Sequence, residues 1–450
     1  MIQKPSVGLI SLGCAKNLVD SEVMLGLLKQ AGYSLTKNAE EAEILIVNTC
    51  AFIDSAKEEA VNTIIEMGEY KKTGNCKLLI VTGCLAQRYK DELLTRLPEI
   101  DALIGTGQFP QIVQICENLL ANPGTKPRIL VGTPDFIYSE TTPRLRTTPG
   151  YSSYLKIAEG CNHHCTYCII PQLRGRLRSR PIPSIVKEAQ DLARQGVKEL
   201  NLIAQDTTGY GQDLSPEHNI INLLGKLARV EGVEWIRLLY GHPAHISLEL
   251  LNLMAEEEKI CPYIDLPLQH INDDILKLMG RQVSRRQIED LLNRMRQMLP
   301  DLAIRTSLMV GFPGETDKHF RELIEFVRTT RFECLGVFTY SREEGTPAAK
   351  LPRQVSAKVK QQRRDYLFQI QQEIAFEHNR ELIGQKTGLL VCDSGGDNSR
   401  PWGRTVYQAP EVDGICYIAS KDAQVGRIYR AQITAAEDYD LAGEIVPYGG

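Results

Sequence analysis

The order of apolar and polar positions divides the chain into three regions with different periods. Near the start, short apolar runs (VGLISLG, EILIVNTC, KLLIVTGC and DALIGTG) alternate with segments of helical spacing: one from about Asp20, one through AKEEAVNTIIEMGEY and one around 91–97. Strands separated by single helices imply parallel βαβ units with right-handed crossovers. A small doubly wound parallel α/β domain is therefore expected over residues 1–122. Residues 123–149 hold five prolines and little apolar periodicity, and read as a linker. From 150 to 378 the alternation resumes, with strands expected at 154–160, 199–206, 235–241, 263–269, 303–311 and 334–341. Between them lie SIVKEAQDLARQG, with Ser184 as its expected N-cap, IINLLGKLARV and KHFRELIEFVRTTR. Six βα units are too few for a closed eightfold barrel, so a partial (β/α)6 barrel is expected. After a charged helix at about 356–382, residues 379–450 turn into short β-like pieces punctuated by glycine and aspartate. They read as a small antiparallel β-barrel.

Composition adds constraints to this α/β picture. The longest apolar runs, ILIV at 44–47 and LLIV at 78–81, fall far short of the ~20 residues that cross a bilayer. The first residues lack the apolar core and cleavage site of a signal peptide, so the chain is expected in the cytoplasm, away from membranes. A net charge of −4 offers no global field for a polyanion, and residues 380–450 carry 7 basic against 10 acidic side chains. Twelve cysteines in a cytosolic chain argue for metal or redox chemistry rather than disulfides.

Their positions sharpen the argument. Cys161, Cys165 and Cys168 form CNHHCTYC, directly after the first strand of the middle region. Three thiolates in eight residues suit three corners of a cubane iron–sulfur cluster and leave one iron for a small molecule to chelate. Zinc, with His163 or His164 as fourth ligand, is the alternative. Cys14, Cys50 and Cys84 each lie just beyond the carboxyl end of a parallel strand, where open α/β sheets bind ligands. They read as a second three-cysteine cluster site. Cys76, Cys116, Cys261, Cys334, Cys392 and Cys416 follow neither pattern and read as structural. In MVGFPGET at 309–316, Gly311 and Gly314 allow close backbone approach to a ligand and Glu315 offers an acceptor. Gln205, Asp206, Gln269, His270 and Arg305 sit at or near expected strand ends and face the presumed pocket. Arg174, Arg176, Arg178 and Arg180 read either as a contact to an acidic partner or as a solvated loop.

The three-cysteine loop in this array, with GFPGET behind it, resembles the radical S-adenosylmethionine (SAM) superfamily. That resemblance implies a 4Fe-4S cluster whose open iron binds SAM and cleaves it to a 5′-deoxyadenosyl radical. It also places Tyr167 on the adenine, with cover of the cluster from water as the other reading. With three regions together, the chain resembles the methylthiotransferases, and most nearly the branch that modifies protein twelve of the small ribosomal subunit. The residues carrying this are SLGCAKNLVDSE (11–22), AEGCNHHCTYCIIPQLRGRLRSR (158–180), AQDTTGYG (204–211), YIDLPLQHINDDILKLMGR (263–281), GVFTYSREEGTPAAKLP (336–352) and APEVDG (409–414). Ala15 departs from the proline usual after the first cysteine. The resemblance implies two 4Fe-4S clusters, methylthiolation at the β-carbon of an aspartate and a TRAM-type terminal barrel. It also implies a basic ribosomal protein as substrate, an electron donor such as flavodoxin or ferredoxin, and a monomer. A tRNA adenosine methylthiotransferase would call for a basic barrel. A non-catalytic two-cluster electron carrier would call for four cysteines per cluster, while a ribosome-assembly protein that keeps its clusters for folding stays open.

Overall fold

The computed structural model describes residues 4–122, 128–396, 399–420 and 423–447. Its first sheet contains β1 (Ser6–Ser11), β2 (Ser34–Leu35), β3 (Ile44–Thr49), β4 (Leu78–Gly83), β5 (Ala102–Ile104) and β6 (Arg128–Leu130). All pair in parallel, in the order β2-β1-β3-β4-β5-β6. Every residue of β3 and β4 is buried, as continuous apolar runs covered on both faces require. Helices α1 (Ala15–Gln30) and α4 (Ile112–Ala121) cover one face, while α2 (Asp54–Thr73) and α3 (Cys84–Arg96) cover the other. The order changes direction between β1 and β3, which puts a topological switch point beside the loops that follow them.

The expected linker is not bare. β6 falls inside it and extends the sheet, and Arg144 pairs with Glu22 at 2.6 Å and Glu188 at 2.8 Å. A three-residue edge strand with a half-exposed face is too short to show a period, so proline density hid it.

The middle sheet contains β7 (Ser152–Lys156), β10 (Glu199–Ile203), β11 (Trp235–Leu238), β12 (Ile260–Asp265), β13 (Ala303–Val310) and β14 (Cys334–Thr339). They run parallel in sequential order and leave β7 and β14 as open edges, which is a partial barrel. The short antiparallel pair β8 (Ala158–Glu159) and β9 (Arg178–Ser179) closes the base of the loop between them, which contains α5 (Ile170–Arg174). The outer face is covered by α6 (Ile182–Arg194), α7 (Ile220–Ala228), α8 (Leu248–Glu256), α10 (Arg285–Met298) and α11 (Asp317–Thr330), while α9 (Asp273–Leu278) lies beyond the end of β12. Ser184 does not cap α6. Pro181 is the N-cap, and the Ser184 hydroxyl accepts from Arg180 Nη2 at 3.1 Å, because Pro183 lets the helix begin a turn earlier.

Helix α12 (Ala357–Glu381) packs on β14 and leads into a closed barrel of β15 (Lys386–Asp393), β16 (Trp402–Thr405), β17 (Cys416–Ile418), β18 (Ile428–Glu437) and β19 (Asp440–Ile445). Its pairs are antiparallel except β17 with β19, which is parallel. The barrel plugs the amino-terminal end of the concave face. There the fully buried Glu199 carboxylate accepts from Arg404 Nη2 at 2.5 Å and Ser152 Oγ at 2.7 Å. The carboxyl-terminal end, where the cysteine loop leaves β7, stays clear of it.

Candidate active site

Three loops at the switch point bring Cys14, Cys50 and Cys84 together. Asn48 Nδ2 donates to the Asn17 carbonyl at 2.9 Å, and Asn17 Nδ2 donates to the carbonyls of Leu12 and Thr49. Thr49 Oγ1 donates to the Thr82 carbonyl at 2.6 Å and accepts from Leu85 N at 3.2 Å. Two glycines make the approach possible. Gly13 has φ +87°, and a Cβ there would lie 2.7 Å from Cys50 Cβ; Gly83 has φ +93°, and a Cβ there would lie 2.4 Å from Asn48 Oδ1. Burial and the neighbouring Cys84 push the Cys50 thiol up to about 11, and burial raises Cys84 as well. Burial also acts on Cys14, but the Lys16 ammonium and the Arg174 guanidinium overcome it and hold that thiol below its ordinary value.

Arg174 corrects the reading of the arginine run. It is buried on α5, bonds Asp20 Oδ2 at 2.5 Å and Asn17 Oδ1 at 2.8 Å, and reaches the Cys84 thiol. Lys156 donates to Asp20 and to Glu159 Oε2, the latter at 2.7 Å. This buried ionic network spans the first two domains and fixes the N-terminal triad against the core. Arg180 is buried too, on Glu188 at 2.5 Å, so two of the four arginines are internal struts rather than a solvated or partner-facing run.

The second triad lies on the loop closed by β8 and β9. His163 N–H donates to Cys161 Sγ and Ile170 N–H to Cys168 Sγ, each at 3.4 Å, and Arg281 Nη1 is 3.9 Å from Cys165 Sγ. Donors aimed at sulfur are what a thiolate ligand set requires, and they tune a cluster's potential. Burial pushes Cys161 up to about 11 and Cys168 to about 12, so without a bound cation both stay protonated at neutral pH. Tyr167 is buried edge-on to Phe312, whose ring packs in turn on Tyr340. That wall covers the loop from water, which supports the second reading given for Tyr167.

The remaining sequence candidates divide. Gln205 donates to Glu159, while its buried Oε1 has no partner among the described residues and is free to accept from a ligand. Arg305 does not reach the pocket. It is the third residue of β13, and its guanidinium bonds Asp413 of the terminal barrel at 2.7 Å, so its place early in the strand decided against the role. Gly311 abuts the Lys360 side chain, and Glu315 is turned inward onto Gly311 N at 2.7 Å and Arg363 at 2.8 Å, so these two shape the loop. Gly314 is buried with φ +89°, and a Cβ there would meet Leu278 at 3.4 Å and Arg353 at 3.8 Å, so its glycine serves the turn's backbone conformation. Burial raises Glu315 to about 7 and lowers the neutral His270 to about 3; Gln269 holds φ +72° at the end of the β12 extension. Asp206 binds His163 Nε2 at 2.7 Å and His245 Nδ1 at 2.8 Å. His163, His242 and His245 form a compact group, but the His163 and His242 rings stack at 3.9 Å and 14°. Their in-plane lone pairs run side by side instead of converging, so the group is a hydrogen-bonded brace for the loop rather than a metal site.

Sequence reading missed Lys16, Arg281 and the His242–His245 pair. Only proximity in the fold reveals them, since none lies in a spacing that carries chemistry by itself. Of the acidic residues crowded at the end of the terminal barrel, Glu437, Asp438, Asp440 and Glu444, two are engaged within it, Glu437 by Arg400 at 3.0 Å and Asp440 by Ile415 N at 2.8 Å.

Comparison with known proteins agrees with this arrangement. Residues 155–327 match the radical SAM superfamily, residues 6–105 the uncharacterized protein family UPF0004 and residues 383–446 the TRAM domain. The chain is thus a three-domain radical SAM protein. It is 49% identical over 446 residues to a ribosomal protein uS12 methylthiotransferase RimO of Geotalea uraniireducens, covering 99% of each chain. Identity is 51% to the protein of that name from Syntrophotalea carbinolica, over 99% of this chain and 98% of that one. The chain belongs to the RimO methylthiotransferase family. Among solved structures, the radical SAM methyltransferase TsrM from Kitasatospora setae aligns with a TM-score of 0.56 at 15% identity, over 88% of this chain and 82% of that one, which establishes likeness of fold. Among the described residues no helix is long and apolar enough to cross a membrane.

Proposed function

We propose that this chain inserts a methylthio group at the β-carbon of an aspartate in ribosomal protein uS12. The observation that carries this reading is a pair of cysteine triads, each one ligand short of a closed cluster, on two domains locked together by buried ion pairs. Cys161, Cys165 and Cys168 would hold a 4Fe-4S cluster with one iron left for SAM, and Cys14, Cys50 and Cys84 would hold a second. The donor sets fit: each group is thiols only, backbone N–H groups point at two of the core sulfurs, and Arg174 and Lys16 offset negative charge at the first triad. Loaded, the site supplies a 5′-deoxyadenosyl radical that takes a hydrogen atom from carbon, and sulfur for the carbon left behind. No side-chain base substitutes for this, because such a C–H bond is not acidic enough.

The chain's own part is to bind, orient and exclude water. Gln205 Oε1, without a partner among the described residues, would accept from the SAM ammonium, and Gly314 would let the GFPGET turn take the backbone path that faces the cofactor. Tyr167, Phe312 and Tyr340 keep water from the back of the core triad. The chain would act as a monomer, reduced by a flavodoxin or ferredoxin, in the cytoplasm where ribosomal proteins are found. Anaerobic reconstitution, then incubation with SAM, dithionite and either uS12 or tRNA, tests the reading. The expected product is uS12 heavier by about 46 Da, one methylthio group for one hydrogen. Absence of 5′-deoxyadenosine would overturn the radical chemistry, and modification of tRNA alone would overturn the substrate.

A further inference from the structure

Buried cations in this fold are paired with carboxylates: Lys156 with Asp20 and Glu159, Arg174 with Asp20, Arg144 with Glu22, and Arg404 with Glu199. Lys16 is different. It is the second residue of α1, two beyond Cys14, and is only 8% exposed. Among the described residues no carboxylate oxygen lies within 4.0 Å of its Nζ, and no acceptor takes a hydrogen bond from it. Its one partner is the face of Tyr240, with Nζ 3.2 Å from the ring centroid. A cation–π contact balances part of the charge and leaves the ammonium N–H donors without a protein acceptor among the described residues, open to solvent or to a ligand.

The position is informative. The ammonium acts electrostatically on both the Cys14 thiol and the Asp265 carboxyl, so it lies between the N-terminal triad and the concave face of the core. Tyr240 is held there against its own preference. Its φ is +60°, rare for a bulky side chain, and it is fixed by its N–H donating to Asp265 Oδ2 at 3.1 Å and its carbonyl accepting from Thr207 N at 3.0 Å. Strain maintained around an ammonium whose neighbouring carboxylate, Asp265, stays beyond ion-pair distance points to a place where an anion can be received.

We propose that Lys16, resting on Tyr240, is the seat for the substrate's carboxylate and selects an acidic side chain at the point between the two triads. This rests on the reading of a ribosomal-protein aspartate as substrate. The lysine takes no part in bond making; it binds the carboxylate and orients the adjacent carbon. A neutral amide or a nucleobase brings no counter-charge and gains little there.

The test is fluorescence anisotropy with labelled peptides spanning the target loop of uS12, one with the native aspartate and one with asparagine in its place. Anaerobically reconstituted wild-type enzyme with SAM is compared with Lys16→Met and Lys16→Arg, and iron is measured in each. Lys16→Met is expected to weaken the aspartate peptide about ten- to a hundred-fold, the range for a hydrogen bond to a charged group. The asparagine peptide should weaken clearly less, since its amide brings an acceptor but no counter-charge. Lys16→Arg should restore much of the loss, with iron equal to wild type in all three. The proposal is overturned if Lys16→Met binds the aspartate peptide as wild type does, if both peptides weaken equally, or if iron falls with the substitution. If the wild type binds neither peptide, the substrate reading itself fails, which is a distinct result.

Discussion

Replacing Glu199 with glutamine should detach the terminal barrel from the core at a cost that can be worked from the structure. Glu199 is fully buried and accepts from Arg404 at 2.5 and 3.0 Å, from Ser152 at 2.7 Å and from Arg237 at 3.3 Å. Burial alone would raise its pKa, but the Arg404 and Arg237 guanidinium groups outweigh that and bring it to about 2 from an ordinary 4.5. At about 1.4 kcal/mol per pKa unit this difference contributes about 3 kcal/mol to folding at neutral pH. Breaking one member of a buried ion cluster typically costs about 3–5 kcal/mol, because the partner charges stay buried, so both routes agree. A depressed carboxylate stabilises the fold above its unfolded pKa and loses that effect as pH falls toward the folded value. The window of loss is therefore about pH 4.5 down to 2, and Glu199→Gln should be less stable than wild type by the same amount throughout pH 5.5–8. Anaerobic urea unfolding across that range measures it. A difference below about 1 kcal/mol, or one that changes between pH 5.5 and 8, would refute the reasoning.

Three further outcomes follow. Arg174→Met leaves Asp20 short of a cation and removes positive charge beside Cys84, so iron in reconstituted protein should fall from about eight to about four atoms per chain; an unchanged iron content would show that Arg174 does not support the N-terminal triad. Gly13→Ala places a methyl group 2.7 Å from Cys50 Cβ at φ +87°, and should cause a similar loss of iron while SAM cleavage at the core persists. Tyr340→Phe removes a buried hydroxyl without a partner among the described residues, and thermal melting should show a neutral or slightly stabilising change of up to about 1 kcal/mol.

The architecture was legible where periodicity was long. The apolar runs at β3, β4 and β13 and the helical spacing of α11 and α12 all fell where pattern reading places them. The meeting of Cys14, Cys50 and Cys84 was legible as well, because cysteine at the carboxyl end of successive strands is itself a statement about one edge of a sheet. What stayed hidden depended on contacts between distant segments. Arg305 looked like a pocket residue, yet Asp413, over a hundred positions away, claims it. Arg174 looked like surface charge, yet Asp20 draws it beneath the N-terminal triad. Glu315 looked like a ligand acceptor, yet its own turn and Arg363 use its oxygens. In each case the side chain's identity was readable and its partner was not.

The proposed function implies a division of labour: the core triad would hold the cluster that makes the radical, and the N-terminal triad the one that supplies sulfur. It is tested most directly by replacing Cys14, Cys50 and Cys84 with alanine together, reconstituting anaerobically and incubating with SAM, dithionite and uS12. 5′-Deoxyadenosine should still form while uS12 gains no mass. A uS12 product still heavier by about 46 Da would contradict it.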